Sequence, residues 1–242
     1  MIIGISGRMG SGKDTIGTII QGLLLTNKNQ SSEIKKFAGK LKQIASILTG
    51  ISVEKFEDQE FKTTLLDVEW GTVQNVPLNS IPPFADMQFN VMMSVREFLQ
   101  KLGTEAMREG LHTNVWVNAL FADYKAKWIP TGDAIEEDEV SLEKEYPNWI
   151  ITDMRFPNEL EAVIKKGGIT IRVNRKLKIG AEDYGYTYVD VKQAVKDGIM
   201  APEHPSETAL DNTTFDYVID NDGTMEELVK KVRDILVLEE LI

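Results

Sequence analysis

The chain has 242 residues, a formal net charge of −11 and no cysteine. Its length suits one α/β domain carrying insertions. The charge disfavours broad contact with nucleic acid, and without cysteine there is no disulfide framework or thiolate metal site. No apolar run reaches the length of a membrane span, and the first strand begins at once, so we expect no leader peptide, no membrane partner and a cytoplasmic setting.

Met1-Ile2-Ile3-Gly4-Ile5-Ser6 reads as a buried strand. It is followed by Gly7-Arg8-Met9-Gly10-Ser11-Gly12-Lys13-Asp14-Thr15, and then by Ile16, Ile19, Ile20, Leu23 and Leu24 at helical spacing. Strand, glycine-rich turn, Gly-Lys and helix together form the context of a phosphate-binding loop. Glycines let successive N–H groups face one concavity, the helix start adds partial positive charge, and Lys13 reaches the terminal phosphates. Thr15 offers a hydroxyl to Mg²⁺ or to a phosphate oxygen. Asp14 separates Lys13 from Thr15, a spacing that resembles nucleoside monophosphate kinases and related small-molecule kinases.

The first helix is expected from about Lys13 to Leu25, ending in the polar stretch Thr26 to Ser32. Glu33 to Phe37 reads as a short strand. Ala38 to Leu48 reads as a helix with Leu41, Ile44, Ala45 and Leu48 on one face, closed by Gly50. Residues 51–90 are irregular and proline-rich, an insertion of loops or a small hairpin. Val91, Val95, Phe98, Leu99 and Leu102 form a helical stripe expected to stop at Gly103. A further helix is expected over about Asn114 to Lys127. The acidic stretch at 128–148 reads as a solvated loop, with a lid over the triphosphate as the sharper reading.

Trp149-Ile150-Ile151-Thr152 reads as a buried strand ending at Asp153, and Asn158 to Lys166 as a helix with Glu159 on an exposed turn. Ile169 to Val173 is a strand. Residues 175–203 form a charged insertion with some helix around Val189 to Lys196. Phe215 to Ile219 is the last strand, and Thr224 with Glu227 forms a capping box for the final helix. Alternating strands and helices imply a mainly parallel sheet with helices on both faces, a three-layer α/β fold. Ligands then sit outside the carboxyl ends of the strands.

Phosphoryl transfer needs charge neutralisation and in-line positioning. Lys42, Lys62, Arg96, Arg155 and Arg172 are the candidate cations beyond the loop. Asp153, at a strand end, is suited to orient an acceptor or to reach Mg²⁺ through water. Only two histidines occur, and His204 is read as structural or ATP-adjacent, because a phosphate monoester needs no base.

The loop, Phe37-Ala38-Gly39-Lys40-Leu41-Lys42, Ser94-Val95-Arg96 through Leu102-Gly103-Thr104-Glu105, Asn114-Val115-Trp116-Val117, Asp153-Met154-Arg155, His204-Pro205-Ser206-Glu207 and Asn221-Asp222-Gly223 occur in that order. Together they resemble the deoxynucleoside monophosphate kinases of tailed bacteriophages. The resemblance implies a phosphate-loop kinase fold with monophosphate-binding and lid insertions, at about 51–90 and about 128–148. It also implies a homodimeric, Mg²⁺-dependent enzyme that uses ATP. Gly10, Ser11, Gly12, Lys13, Asp14, Thr15, Asn221, Asp222 and Gly223 would then hold ATP, with Thr15 on the metal. Lys42, Lys62, Arg96, Gly103, Thr104, Trp116, Asp153, Arg155 and Glu159 would surround the monophosphate. Lys13, Arg96, Asp153 and Arg155 would carry the chemistry. Related readings are a kinase for a ribonucleotide or dephospho-coenzyme A. The different-class reading is a nucleotide-binding module without catalysis.

Overall fold

The computed structural model describes residues 1–75, 88–131, 141–179, 187–189 and 205–242. They divide into two compact units, Met1–Phe37 with Val117–Ile242, and Ala38–Trp116.

The first unit is built on a parallel sheet of five strands: β1 (Ile2–Gly7), β2 (Glu33–Lys35), β7 (Trp149–Met154), β8 (Ile169–Asn174) and β11 (Tyr217–Asp220). They lie in the order β11-β8-β1-β7-β2, with every pairing parallel. Apolar residues of β1, β7 and β8 are buried, with Ile169 at the start of β8 half-buried, as strands covered on both faces require. On one face Ile3, Ile5, Ile150, Ile171, Val173 and Ile219 pack against α1 (Lys13–Lys28) and α7 (Met225–Leu238). On the other, α5 (Pro157–Lys165) sets Val163 over Gly4 of β1. The layers are therefore helix, sheet, helix. Because β1 is central and all strands run one way, the turn after β1 opens at the shared carboxyl edge, between β7 and β8.

Several boundaries differ from the sequence expectation. Helix α1 runs on to Lys28, because Thr26 Oγ1 donates to Gly22 O (2.9 Å) and Asn27 Nδ2 to Leu23 O (2.8 Å), tying both polar side chains back onto the helix. It stops at Asn29, whose φ is +53°. The acidic stretch at 128–148, expected as a loop, instead contains an antiparallel pair, β5 (Lys127–Thr131) with β6 (Ser141–Glu145). Residues 132–140 lie outside the described part. In the region 175–203, β9 (Leu177–Ile179) pairs with β10 (Thr187–Val189), so Val189 ends a strand and does not open the expected helix. The rest of that expected helix, and His204, lie outside the described residues. The capping box is present: Thr224 Oγ1 accepts from Glu227 N (3.3 Å), and Glu227 Oε2 from Thr224 N (3.2 Å).

The second unit begins with α2 (Ala38–Thr49) and continues through short 3₁₀ turns at Lys55–Glu57, Phe61–Thr63 and Val68–Trp70. A ribbon of β3 (Thr72–Asn75) and β4 (Gln88–Val91) follows, the small hairpin expected there. Its core is Ala45, Phe56, Leu66, Val95 and Phe98. Helix α3 (Val95–Gln100) starts at Ser94, whose hydroxyl accepts from Glu97 N (3.2 Å). The helix does not stop at Gly103. It widens into a π-helix over Lys101–Glu109. A Cβ at Gly103 would stand 2.9 Å from Leu41 Cδ2, so the glycine is a point of close approach to α2, not a terminator. Helix α4 (Val115–Phe121) is shorter than expected, since Lys127 already belongs to β5.

Candidate active site

The turn between β1 and α1 has the conformation that anion binding needs. Gly10 and Gly12 have φ of +76° and +100°, in the left-handed region. Gly12 is confined twice over, since a Cβ there would lie 2.5 Å from Asn221 Nδ2. Gly12→Ala is therefore expected to combine about 1–2 kcal/mol of backbone strain with a displaced Asn221. A thermal melt and a nucleotide titration check this, and wild-type nucleotide affinity in that variant would count against the cradle. Ser11 is 3% exposed and its Oγ has no hydrogen-bond partner among the described residues.

Lys13 lies in the first turn of α1, is 8% exposed and donates from Nζ to Arg8 O (2.7 Å), curling back over the turn. Burial first, then the charge of Arg155 and, least, that of Arg172, lower its pKa to about 8 against an opposing pull from Asp14 and Asp153. That ordering means that Arg155, Arg172, Asp14 and Asp153 are all within electrostatic reach of the ammonium. A cation already strained by two neighbouring cations gains from an arriving polyanion. The Asp14 carboxylate takes hydrogen from Thr152 Oγ1 (2.7 Å) and meets Lys36 Nζ at 3.3 Å. Burial pushes Asp14 up, but Thr152, Lys36 and Lys13 outweigh it and hold the carboxyl below its usual value. The Asp14 side chain thus tethers α1 to β7, leaving its main chain for the loop. Thr15 is exposed at the same helix start.

At the end of β7, Asp153 Oδ1 accepts from Phe37 N (2.7 Å), and the Arg155 guanidinium meets Glu207 Oε1. Glu159 departs from expectation. It is 2% exposed, and its Oε2 accepts from Arg155 N (2.7 Å) and Phe156 N (3.1 Å). A carboxylate in the first turn of α5 has folded back to satisfy orphan N–H groups, so Glu159 shapes the turn that carries Arg155. After β11, Asn221 Nδ2 donates to Ser11 O (2.9 Å), and Asp222 Oδ1 accepts from Lys176 N (2.8 Å). Asn221 therefore touches the phosphate loop itself.

Three residues of this edge were not singled out as site residues from sequence. Glu207 Oε2 accepts from Met9 N (3.0 Å), while Asp211 takes Arg8 Nη2 (2.7 Å) and Arg172 Nη2 (2.8 Å). Arg8 has no glycine or phosphate-reaching role in the loop pattern, so the sequence alone does not mark it. Glu207 and Asp211 are four apart, in and after the short helix α6 (Pro205–Thr208), and only folding brings them to residues 8 and 9.

In the second unit, Lys42 is 7% exposed and its Nζ lies 2.5 Å from Glu57 Oε1. Lys62 Nζ contacts Glu57 O at 3.4 Å, so Glu57, also missed, gathers both lysines. Arg96 is half-buried near the start of α3, and Thr104 is half-buried in the π-helix. Trp116 is 5% exposed and donates its indole N–H to Gly103 O (2.8 Å). Its described contact is that of a core residue fixing the Gly103 turn, not of an open stacking platform. Lys42, Lys62, Arg96, Gly103, Thr104 and Trp116 thus belong to one unit, and the loop, Asp153, Arg155, Glu159 and Asn221 to Gly223 to the other.

The sequence model of a family described as deoxynucleotide monophosphate kinase matches residues 51–232. The chain belongs to that family. The matched span excludes the phosphate loop, which is therefore an independent line towards nucleotide chemistry. The chain is 25% identical to the deoxynucleoside-5′-monophosphate kinase of Escherichia phage T5, covering 87% of this chain and 85% of that one. It is 24% identical to an Acanthamoeba polyphaga mimivirus protein provisionally named a deoxynucleotide monophosphate kinase, covering 96% and 94%. Superposition on shikimate kinase from Aquifex aeolicus gives a TM-score of 0.36 at 12% identity over 100% of this chain and 99% of that one, which adds nothing to the strand order. Family membership makes this a nucleotide-binding phosphotransferase. Among the described residues no helix is long and apolar enough to cross a membrane.

Proposed function

We propose that the chain transfers the γ-phosphoryl group of ATP to a deoxynucleoside 5′-monophosphate, yielding the diphosphate for DNA precursor synthesis. The observation that carries this reading is Lys13, buried in a glycine-rich turn within electrostatic reach of Arg155 and Arg172. An elongated anion in that turn meets backbone N–H groups, an ammonium and guanidinium groups together, which suits a transition state with charge spread over the phosphoryl oxygens.

In this reading Gly10 to Thr15 hold the triphosphate, and Asn221, Asp222 and Gly223 lie by the donor nucleotide. Lys13 and Arg155 stabilise transferred charge, and Asp153 orients the acceptor. Lys42, Lys62, Arg96, Gly103 and Thr104 serve the monophosphate, with Trp116 and Glu159 holding turns in shape. The acceptor phosphate is ionised near neutral pH, so no general base is required. Mg²⁺ suits the oxygen donors present, the exposed Thr15 hydroxyl at the start of α1 and the Asp153 carboxylate near the end of β7. Magnesium usually takes one or two protein ligands with substrate phosphates and water. Thr15 would hold it, with Asp153 reaching it through water, and when bound it would neutralise phosphate charge. The region at about 51–90 is proposed as monophosphate-binding and that at about 128–148 as a lid. The working form is proposed to be a homodimer in the cytoplasm, independent of nucleic acid and membrane.

ADP release across deoxy- and ribonucleoside monophosphates and dephospho-coenzyme A tests the assignment. Release that does not depend on a deoxynucleotide would overturn it. Arg96→Ala is expected to raise the acceptor KM by about tenfold or more, the loss of a charged hydrogen bond worth about 1.5–3 kcal/mol, while ATP affinity stays near wild type. Separate titration of the two nucleotides decides this, and an effect confined to ATP excludes Arg96 from the acceptor side.

A further inference from the structure

We propose that Asp211 is a positioning residue for phosphoryl transfer, its carboxylate holding Arg8 of the phosphate loop and Arg172 of β8 as one unit and thereby fixing the place of the Lys13 ammonium. This rests on the kinase reading above.

Each carboxylate oxygen takes a different guanidinium: Oδ2 accepts from Arg8 Nη2 at 2.7 Å and Oδ1 from Arg172 Nη2 at 2.8 Å. The side chains of Asp211, Arg8 and Arg172 are 9%, 17% and 12% exposed. An exposed ion pair contributes little, but here one carboxylate separates two guanidinium groups largely withdrawn from water. Arg172 is further tied by Nη1 to Ser6 Oγ (3.1 Å), its register partner on β1 and the residue just ahead of the loop. The clamp therefore runs from the neighbouring strand, through Asp211, to the loop. Arg8 carries it onward, because its main-chain oxygen receives the Lys13 ammonium at 2.7 Å.

Asp211 is itself firmly seated. Leu210 beside it is 2% exposed, and Asp211 N donates to Thr208 O at 3.0 Å. Four residues earlier, Glu207 accepts from Met9 N at 3.0 Å. One short stretch of chain thus grips two consecutive loop residues, one by its side chain and one by its main chain. A displacement of about 1 Å in a transition-state cation costs large factors in rate. Loss of Asp211 would leave the Arg8 end of the clamp without this carboxylate and let residue 8 carry Lys13 with it. A carboxylate that only glued the segment in place would show in the melting temperature, not in turnover well below it.

The experiment uses the full chain with ATP, Mg²⁺ and a deoxynucleoside monophosphate, comparing wild type, Asp211→Asn, Asp211→Glu, Arg8→Met and the double variant Asp211→Asn with Arg8→Met. Asp211→Asn keeps size and removes charge. Its kcat is expected to fall by about tenfold or more well below its melting temperature, with the acceptor KM within about threefold of wild type. Asp211→Glu should recover part of the loss. The double variant should be no slower than the slower single one, because both changes cut the same contact. Wild-type kcat in Asp211→Asn, or losses that multiply in the double variant, would overturn the proposal. Should Asp211→Asn melt below the assay temperature, Arg8→Met decides alone, since it leaves Asp211 on Arg172, and an unchanged kcat overturns the proposal. Wild-type protein releasing no ADP overturns the kinase reading along with this one. An active wild type beside an equally active Asp211→Asn overturns only this one.

Discussion

Replacing Lys13 by methionine is expected to lower kcat/KM by at least about a hundredfold, roughly 2.7 kcal/mol of transition-state stabilisation, while leaving the unliganded protein as stable as wild type or more so. Lys13 titrates at about 8 in the folded chain against 10.5 for a free lysine, because burial and then Arg155 disfavour its charge. Between those values the folded chain binds fewer protons than the unfolded one, so unliganded stability rises with pH across that window. Below about 8 both states carry the charge and the whole cost of burying it is present, up to about 3 kcal/mol. Methionine removes that cost and keeps the apolar stem, giving up the bond to Arg8 O. Parallel melts of the two proteins should show the variant equal or higher at neutral pH, with any advantage gone near the free-lysine value. A variant that melts clearly lower at neutral pH, or that retains most of its turnover, contradicts the account of Lys13 as a functional charge held against its own stability.

The second large effect is expected at Arg155. Arg155→Ala should lower kcat by about a hundredfold, as removal of a preorganised donor to developing charge does, and Arg155→Lys should recover little, since a compact ammonium cannot reproduce a planar fork. The turn that carries Arg155 is held separately by Glu159 on the main chain, so the loss should be kinetic with little change in melting temperature. Single-turnover kinetics at saturating nucleotides separates this from a binding defect, and a loss seen only in KM would move Arg155 out of the chemical step.

Much of the fold, and the conformation of the glycine-rich turn in the candidate site, are legible in the chain itself. The run from Met1 to Ser6, the glycine spacing and the apolar period after Lys13 encode strand, turn and helix locally, because each follows from neighbours in sequence. Alternation of strands and helices was enough for a parallel sheet. What could not be read depended on distant partners. Gly103 looked like a helix stop, yet it is where Leu41 of α2 comes close. Glu159 looked solvent-facing because its targets are main-chain N–H groups, invisible to a side-chain pattern. Glu207 meets Met9, and Asp211 meets Arg8, across most of the chain length. The β5–β6 ribbon was not legible because β5 sets Trp128 beside Ile129 and then Pro130, with no period of two, and β6 holds a single apolar residue, Leu142.

The chain leaves the first unit after Phe37 and re-enters it at Val117, so the whole second unit is a single uninterrupted stretch of polypeptide. Lys42, Lys62, Arg96, Gly103 and Thr104 all lie within that stretch, while the phosphate loop and its carboxylate tethers lie wholly outside it. Such an arrangement is modular: a segment continuous in sequence makes one compact unit, set between the two parts of the other. The first junction follows Phe37 and precedes α2, while the second falls within α4, between Trp116 and Val117.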